Sequence, residues 1–254
     1  MGKIISIFNQ KGGVGKTTTS INLSAGVGRL GRRVLLLDLD PQGNSTSGLG
    51  IDKETVESRI YDVLALEIPI RDAIYESSAI NVSLIPSNNE LAGLEIEFAR
   101  AGNWETSLRD KLSSIKEDYD FIFIDCPPSL GILSVLGLIA SDSVIIPIQC
   151  EYYALEGVSQ LFDTIQLVKA NFNPGLEIEG VVLSMFDGRT NLSIEVVDEV
   201  KAYFKGSVYT SIIPRNVRLA EAPSHGLSIM DYDDKSKGSE AYVELAEEFL
   251  DLTE

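Results

Sequence analysis

Eight residues near the start of the chain carry the chemistry that is easiest to name. Lys11-Gly12-Gly13-Val14-Gly15-Lys16-Thr17-Thr18 stands between an apolar run, Ile4–Phe8, and a helical pattern that begins near Lys16. Glycines at such a junction let successive backbone N–H groups turn inward on an anion, and the helix start adds the positive end of its dipole. Lys16 supplies a point charge for the β- and γ-phosphates of a nucleotide, and the Thr17 hydroxyl suits Mg2+. The common phosphate-loop pattern has a glycine where this chain has Gln10, and a second lysine, Lys11, stands inside the loop. That departure marks a distinct branch of nucleotide hydrolases.

Carboxylates follow at the ends of two further apolar runs. Leu37-Asp38-Leu39-Asp40-Pro41-Gln42-Gly43-Asn44 places Asp38 and Asp40 two apart, on one side of an extended chain. One of the pair is suited to orient or deprotonate an attacking water while the other supports Mg2+ or its water shell. The competing reading is that one of them only caps a turn, because Asp-Pro and Gln-Gly are turn formers. Phe121-Ile122-Phe123-Ile124-Asp125 has the form of a Walker B strand, whose aspartate holds Mg2+ through water. Cys126-Pro127-Pro128-Ser129 follows as a rigid loop able to sense a γ-phosphate.

These groups need a scaffold that brings strand ends together. Short β-rich runs at Ile4–Phe8, Val34–Asp38, Val82–Ile85, Phe121–Asp125, Val144–Ile148, Gly180–Met185 and Val208–Ile212 alternate with helical patterns. The helical stretches are Thr17–Leu30, Asn89–Ala101, Glu105–Lys116, Ala154–Asn171, Leu192–Lys205 and Ser239–Leu252. Several runs are continuously apolar, as strands covered on both faces must be. The alternation predicts an α/β fold: a doubly wound, mostly parallel sheet with helices on both faces and functional loops at the strand carboxyl ends. With 254 residues, 44% of them apolar, and no linker-like segment, one domain over 1–254 is expected.

Composition narrows the function classes. The first residues do not form a signal peptide, and the longest apolar stretch, Leu130–Ala140, is too short to span a bilayer, so a cytoplasmic protein is expected. Cys126 and Cys150 have neither disulfide-framework nor metal-site spacing. A net charge of −17 argues against a broadly basic nucleic-acid surface. The charge is uneven, however: Arg189–Arg218 holds five bases against three acids, and Ser239–Glu254 holds six acids and no base.

Taken together, KGGVGKTTT, LLLDLDPQGN, IDCPPSLG, CEYYALEG (Cys150–Gly157) and IPRNVRLAEAPSHG (Ile213–Gly226) resemble the ParA/Soj family of chromosome- and plasmid-partitioning ATPases. This is the deviant Walker A branch of P-loop NTPases within the MinD/ParA superfamily, and the resemblance covers essentially the whole chain. It implies ATP and Mg2+ as cofactors and an ATP-dependent sandwich homodimer. It also implies non-specific double-stranded DNA as a ligand, nucleoid association, and a ParB/Spo0J-type centromere-binding protein that stimulates hydrolysis. A replication initiator is a further partner it allows. On this resemblance Lys11 reaches across the two-fold to the partner's phosphates, and Gly12 sits where the two loops face each other. Gly13, Val14 and Gly15 complete the cradle around Lys16, Thr17 ligates Mg2+, Thr18 adds a phosphate contact, and Asp125 holds Mg2+ through water. Asp40 matches the residue needed for hydrolysis, Pro214 and Asn216 the adenine loop, and Arg189 and Arg218 the DNA contacts. The chain departs from relatives at Leu227, Ala202 and Gly206, where bases are often added.

Two other functions share parts of this pattern. A membrane-associated MinD-type regulator requires a basic amphipathic C-terminal helix, whereas Glu240, Glu244, Glu247, Glu248 and Asp251 make this one acidic. An iron-protein-type reductase needs cluster-bridging cysteines in Gly-rich surroundings, and Asp-Cys-Pro-Pro stands in their place. Plainer readings also apply. His225 is expected to be non-catalytic and the two cysteines to be packing residues. Tyr152-Tyr153 either lines the nucleotide or packs. Leu192, Val196, Val200 and Tyr203 are expected to form a core face, with Lys201 and Lys205 on a solvated one.

Overall fold

Every residue of Val34–Asp38 and of Phe121–Asp125 is buried, which requires strands covered on both faces. The computed structural model describes residues 2–102, 104–151 and 154–253, so Tyr152-Tyr153 lies outside the described residues. The strands are β1 (Lys3–Ile7), β2 (Val34–Asp38), β3 (Tyr75–Glu76), β4 (Val82–Ile85), β5 (Phe121–Asp125), β6 (Ser143–Gln149) and β7 (Glu177–Ser184). The first helices are α1 (Lys16–Arg29), α2 (Asn44–Gly48), α3 (Ile60–Ala65), α4 (Leu91–Ala101), α5 (Ser107–Ser113) and α6 (Ile132–Ala140). The remainder are α7 (Ala154–Asn171), α8 (Asn191–Phe204), α9 (Val217–Glu221), α10 (Ile229–Tyr232) and α11 (Lys237–Thr253).

The strands form one sheet in the order β3-β4-β2-β5-β1-β6-β7, parallel except for the short β3. From β1 the chain builds outward on one side through β2, β4 and β3. It then returns to β5 and passes to β6 and β7 on the other side. Such a reversal opens a crevice at the strand carboxyl ends. In register, Ile7 and Asp38 both lie beside Asp125, so the loops that leave β1, β2 and β5 start level with one another.

Alternate residues feed two apolar layers. Leu35, Leu37, Ile122 and Ile124 join Leu94, Leu112, Leu136 and Leu161 in one. Leu36, Phe123, Ile5 and Ile7 join Leu23, Tyr242 and Phe249 in the other. Phe249 of α11 meets Phe121 edge-on at 5.0 Å between ring centroids. The apolar side of this C-terminal helix is therefore spent on the core, and Tyr242, Leu245 and Phe249 are buried. Among the described residues no helix is long and apolar enough to cross a membrane.

Two expectations need correction. On α8 the buried apolar residues are Val196, Val197, Val200 and Phe204, while Leu192 and Tyr203 are 41% and 48% exposed at the margins of that face. Val208–Ile212 is not a continuous strand. Tyr209 N donates to Val181 O and Ile213 N to Leu183 O, so the segment does run beside β7. Its intervening N–H groups turn outward: Thr210 N and Ser211 N donate to the Glu248 carboxylate at 2.6 and 2.9 Å, and Ser211 Oγ adds a third bond at 2.7 Å. A carboxylate from α11 thus replaces the next strand and closes the sheet edge.

Partial burial pushes the Glu248 carboxyl up, but these three donors outweigh it and hold the group below its ordinary 4.5. Glu248→Ala should lower stability by about 1–3 kcal/mol, seen as a lower urea midpoint, because two backbone donors lose a charged acceptor. A depressed folded-state pKa stabilises the protein above the unfolded value. The advantage of wild type should therefore be complete above pH 4.5 and shrink as pH falls below it. A pH-independent difference would mean that packing, not the carboxylate, is responsible.

Candidate functional site

The loop between β1 and α1 is held in shape from three sides. Gly13 and Gly15 adopt φ of 74° and 88°, a region that strains any residue with a side chain. Asn9 Nδ2 donates to Pro147 O of β6 at 2.8 Å while its Oδ1 accepts from Lys11 N at 3.0 Å. Ser184 Oγ, at the end of β7, donates to Val14 O at 2.8 Å. Val14 is buried, so its side chain anchors the loop. Lys16 is only 6% exposed and its Nζ donates to Lys11 O at 2.9 Å, so the loop encloses the ammonium. Burial pushes the Lys16 pKa down, and the negative charges of Asp125 and Asp40 partly oppose that.

The carboxylates divide by role. Asp125 is fully buried and its oxygens accept from Ser20 Oγ at 2.9 Å and Ser45 Oγ at 2.6 Å, with the Thr17 hydroxyl nearby. Burial raises its pKa against the pull of those hydroxyls. Asp38, also fully buried, accepts from Thr46 N at 2.8 Å, Thr46 Oγ1 at 2.7 Å and Asp40 N at 3.2 Å. Burial, then the neighbouring Asp125, drives its pKa up to about 7. Asp38 therefore fastens the β2–α2 turn, and Asp40 is the member of the pair that reaches the cleft. Asp40 Oδ1 also accepts from Gln42 N at 2.9 Å, a turn-capping bond that coexists with its place in the cleft wall.

That cleft holds about 270 Å³ and is lined by Gly13, Gly15, Lys16, Thr17, Thr18, Asp40, Asn44, Pro128 and Met185. A second cavity of about 340 Å³ adjoins it, sharing Gly15, Thr18 and Met185 and adding Ile213, Pro214, Asn216, Val217 and Tyr242. The first is a small polar cradle with one cation, Lys16, and one carboxylate, Asp40, and the second is an apolar slot with the Asn216 amide at its wall. Their union suits a polyanion joined to a flat heterocycle. Asn216 is fixed by accepting from Arg218 N at 2.8 Å as the cap of α9, and Phe186 O accepts from Arg215 N at 3.0 Å.

Sequence reasoning missed several of these groups. Asn9, Ser20, Ser45 and Ser184 act through contacts distant in sequence and match no short motif. Met185 lies at the junction of the two cavities with φ of 53°, a backbone state that a methionine adopts only under constraint. Cys126 and Cys150 are buried with thiols pushed up to about 12 and about 11 by burial, which leaves them unreactive packing residues. His225 stacks on Tyr232 at 4.9 Å, away from the residues that line either cavity.

The two arginines singled out for DNA lie outside both cavity walls and are paired at home. Arg189 is 88% exposed in its side chain and grips Asp187 with Nε at 2.8 Å and Nη2 at 2.6 Å. Those bonds lower Asp187 to about 2. Arg218 Nη1 meets Glu221 at 2.7 Å, and its Nε meets Asp233 at 3.4 Å.

The chain resembles known proteins over nearly its whole length. A family model described as an AAA domain matches residues 2–178. The chain is 56% identical over 248 residues to the sporulation initiation inhibitor protein Soj of Bacillus subtilis, covering 98% of each chain. It is 51% identical over 250 residues to the chromosome partitioning protein ParA of Myxococcus xanthus, covering 98% of this chain and 88% of that one. Among solved structures, cobyrinic acid a,c-diamide synthase from Mycobacterium smegmatis, with a bound ATP analogue and magnesium, superposes with a TM-score of 0.84. It is 36% identical and covers 97% of this chain and 93% of that one.

Proposed function

The chain belongs to the ParA/Soj family of partitioning ATPases, and from that premise we propose that it acts as a single ATPase domain that hydrolyses ATP with Mg2+, dimerises on ATP, binds DNA without sequence preference and moves a replicon with a ParB-type partner. The observation that carries this reading is the pair of adjoining cavities, one walled by Lys16, Thr17 and Asp40 and the other by Pro214 and Asn216. Together they accommodate a triphosphate and a purine.

The residues fit Mg2+ as well. Asp125 has its oxygens occupied by hydroxyls, and among the described residues no group of three or more His, Cys, Asp or Glu could hold a metal by itself. Such a site suits an ion that keeps waters and leans on substrate phosphates. Thr17 would be its direct protein ligand, and Asp125 would hold its waters. When bound, Mg2+ neutralises charge on the β- and γ-phosphate oxygens. The chain's own groups do the rest. Backbone N–H groups of Gly13 and Gly15 and the Lys16 ammonium hold the phosphates, with Thr18 beside them. Asp40 orients the attacking water and accepts its proton. Pro214 and Asn216 hold the adenine. Lys11 and Gly12, exposed on the rim, face a second copy, so the γ-phosphate becomes part of the dimer contact.

A MinD-like membrane role is disfavoured because the apolar side of α11 is buried in the core and its exposed side is acidic. Nucleoid association is the corresponding location. The direct test is DNA co-sedimentation with ATP, ADP and no nucleotide at two salt concentrations. Binding that needs ATP and weakens at high salt is expected, and binding unaffected by nucleotide would remove the link between the cleft and DNA.

Arg189→Glu with Arg218→Glu should weaken this binding about equally for unrelated duplexes and reduce the salt slope by roughly one per lost contact. DNA phosphate has to replace Asp187 and Glu221 on these arginines, which keeps wild-type affinity modest. ATP-dependent dimers should survive in the double variant. Their loss would place the arginines in the dimer contact, and unchanged DNA binding would place the DNA surface elsewhere.

A further inference from the structure

Beside the turn that carries Asp40 lies a third cavity, of about 100 Å³, that shares no lining residue with the two already described. Its wall is polar: Gln42, Lys53, Glu54, Arg59 and Asn89 contribute to it. Among the described residues neither Lys53 nor Arg59 has an ion-pair partner. Lys53 Nζ spends one proton on Gln42 O at 2.6 Å, which leaves two. Arg59 Nη2 donates to Lys53 O at 2.6 Å, while Arg59 Nε is buried without any hydrogen-bond partner. The two free protons of Lys53 and the remaining donors of the Arg59 guanidinium are what the wall offers an anion. Glu54 is the one acid on the wall, against two cations.

We propose that this cavity binds a small oxyanion, of the size of phosphate or a carboxylate group, between Lys53 Nζ and the cavity-facing part of the Arg59 guanidinium. The geometry ties that site to the catalytic turn. Lys53 holds the carbonyl of Gln42, and the N–H of the same residue is the group that Asp40 Oδ1 accepts from. An anion that draws on Lys53 therefore acts on Gln42, the residue that Asp40 caps. Its expected effect is on the hydrolytic step rather than on nucleotide affinity. That consequence rests on the function proposed above, whereas anion binding itself does not.

The test is an amide NMR titration of the MgADP-loaded protein with inorganic phosphate and, separately, with acetate. Saturable shifts should appear at residues 42–43, 53–59 and 88–89. Arg59→Gln should weaken binding roughly tenfold or more, as loss of a charge-assisted bond implies. Lys53→Gln, a second variant in case the first unfolds, should weaken it similarly. A phosphate response with no acetate response assigns the site to tetrahedral anions, and the reverse assigns it to carboxylates. Shifts confined to residues 11–18, or wild-type titrations in both folded variants, would overturn the proposal. A second arm measures single-turnover hydrolysis with and without the anion. If anion binding is present but hydrolysis is absent altogether, the ATPase reading fails and the anion site stands.

Discussion

Lys16→Ala should lose ATP binding by roughly 100- to 10,000-fold, the largest effect on affinity the site allows. The ammonium is the one cation enclosed by the loop, 6% exposed, with its proton resting on Lys11 O in the absence of phosphate. Two charge-assisted hydrogen bonds to phosphate oxygens, each worth about 1.5–3 kcal/mol, correspond to that range. Neighbouring groups offer little compensation. Asp125 and Asp40 add negative charge beside the site, so a triphosphate entering without Lys16 meets net repulsion. ATP-dependent dimers should vanish with binding. Equilibrium titration with a fluorescent ATP analogue measures the first effect and gel filtration the second. Affinity within a few-fold of wild type, with dimers intact, would show that the backbone N–H groups alone hold the phosphates.

Asp40 should separate binding from chemistry. Asp40→Ala and Asp40→Asn should each slow single-turnover hydrolysis by roughly 100- to 10,000-fold, the range for loss of a positioned base, while ATP affinity changes only a few-fold. Two variants are needed because Asp40 has a second occupation as the cap of its own turn, through Gln42 N at 2.9 Å. Asparagine keeps an acceptor for that bond and removes the basicity. If Asp40→Asn hydrolyses ATP normally while Asp40→Ala does not, the carboxylate is a cap and some other group handles the water.

Much of the scaffold was legible because parallel strands buried on both faces write themselves as unbroken apolar runs, as Val34–Asp38 and Phe121–Asp125 do. Helices with a one-sided core are equally plain, and α7 runs from Ala154 to Asn171 as its periodicity predicts. Helix α6 was hidden for the opposite reason. Seven of its nine residues are buried, so it presents no amphipathic period to read. The interruption of Val208–Ile212 depends on Glu248, which lies dozens of residues away in another helix. No local propensity encodes that.

The candidate site shows the same division. Lys11–Thr18, Asp40 and Asp125 stand at strand ends in short motifs, so their meeting follows from a parallel sheet alone. Ser20 and Ser45 reach Asp125 across 105 and 80 residues of chain, and only tertiary structure brings them there. Asp38 and Asp40 look equivalent in sequence. Thr46 separates them by supplying both a backbone and a hydroxyl donor to Asp38, which turns that carboxylate into a fastening for the turn. Arg189 and Arg218 were visible as basic residues, but the acids that hold them were not assigned as their partners.

On the function proposed above, this cleft reads the γ-phosphate and reports it as self-association. Sedimentation velocity of the Asp40→Ala protein with MgATP, MgADP and no nucleotide measures it directly, because blocked hydrolysis keeps the ATP state populated. Dimers are expected with MgATP only, and monomers in the other two conditions. A single species of the same size in all three, with MgATP shown to be bound, would contradict it.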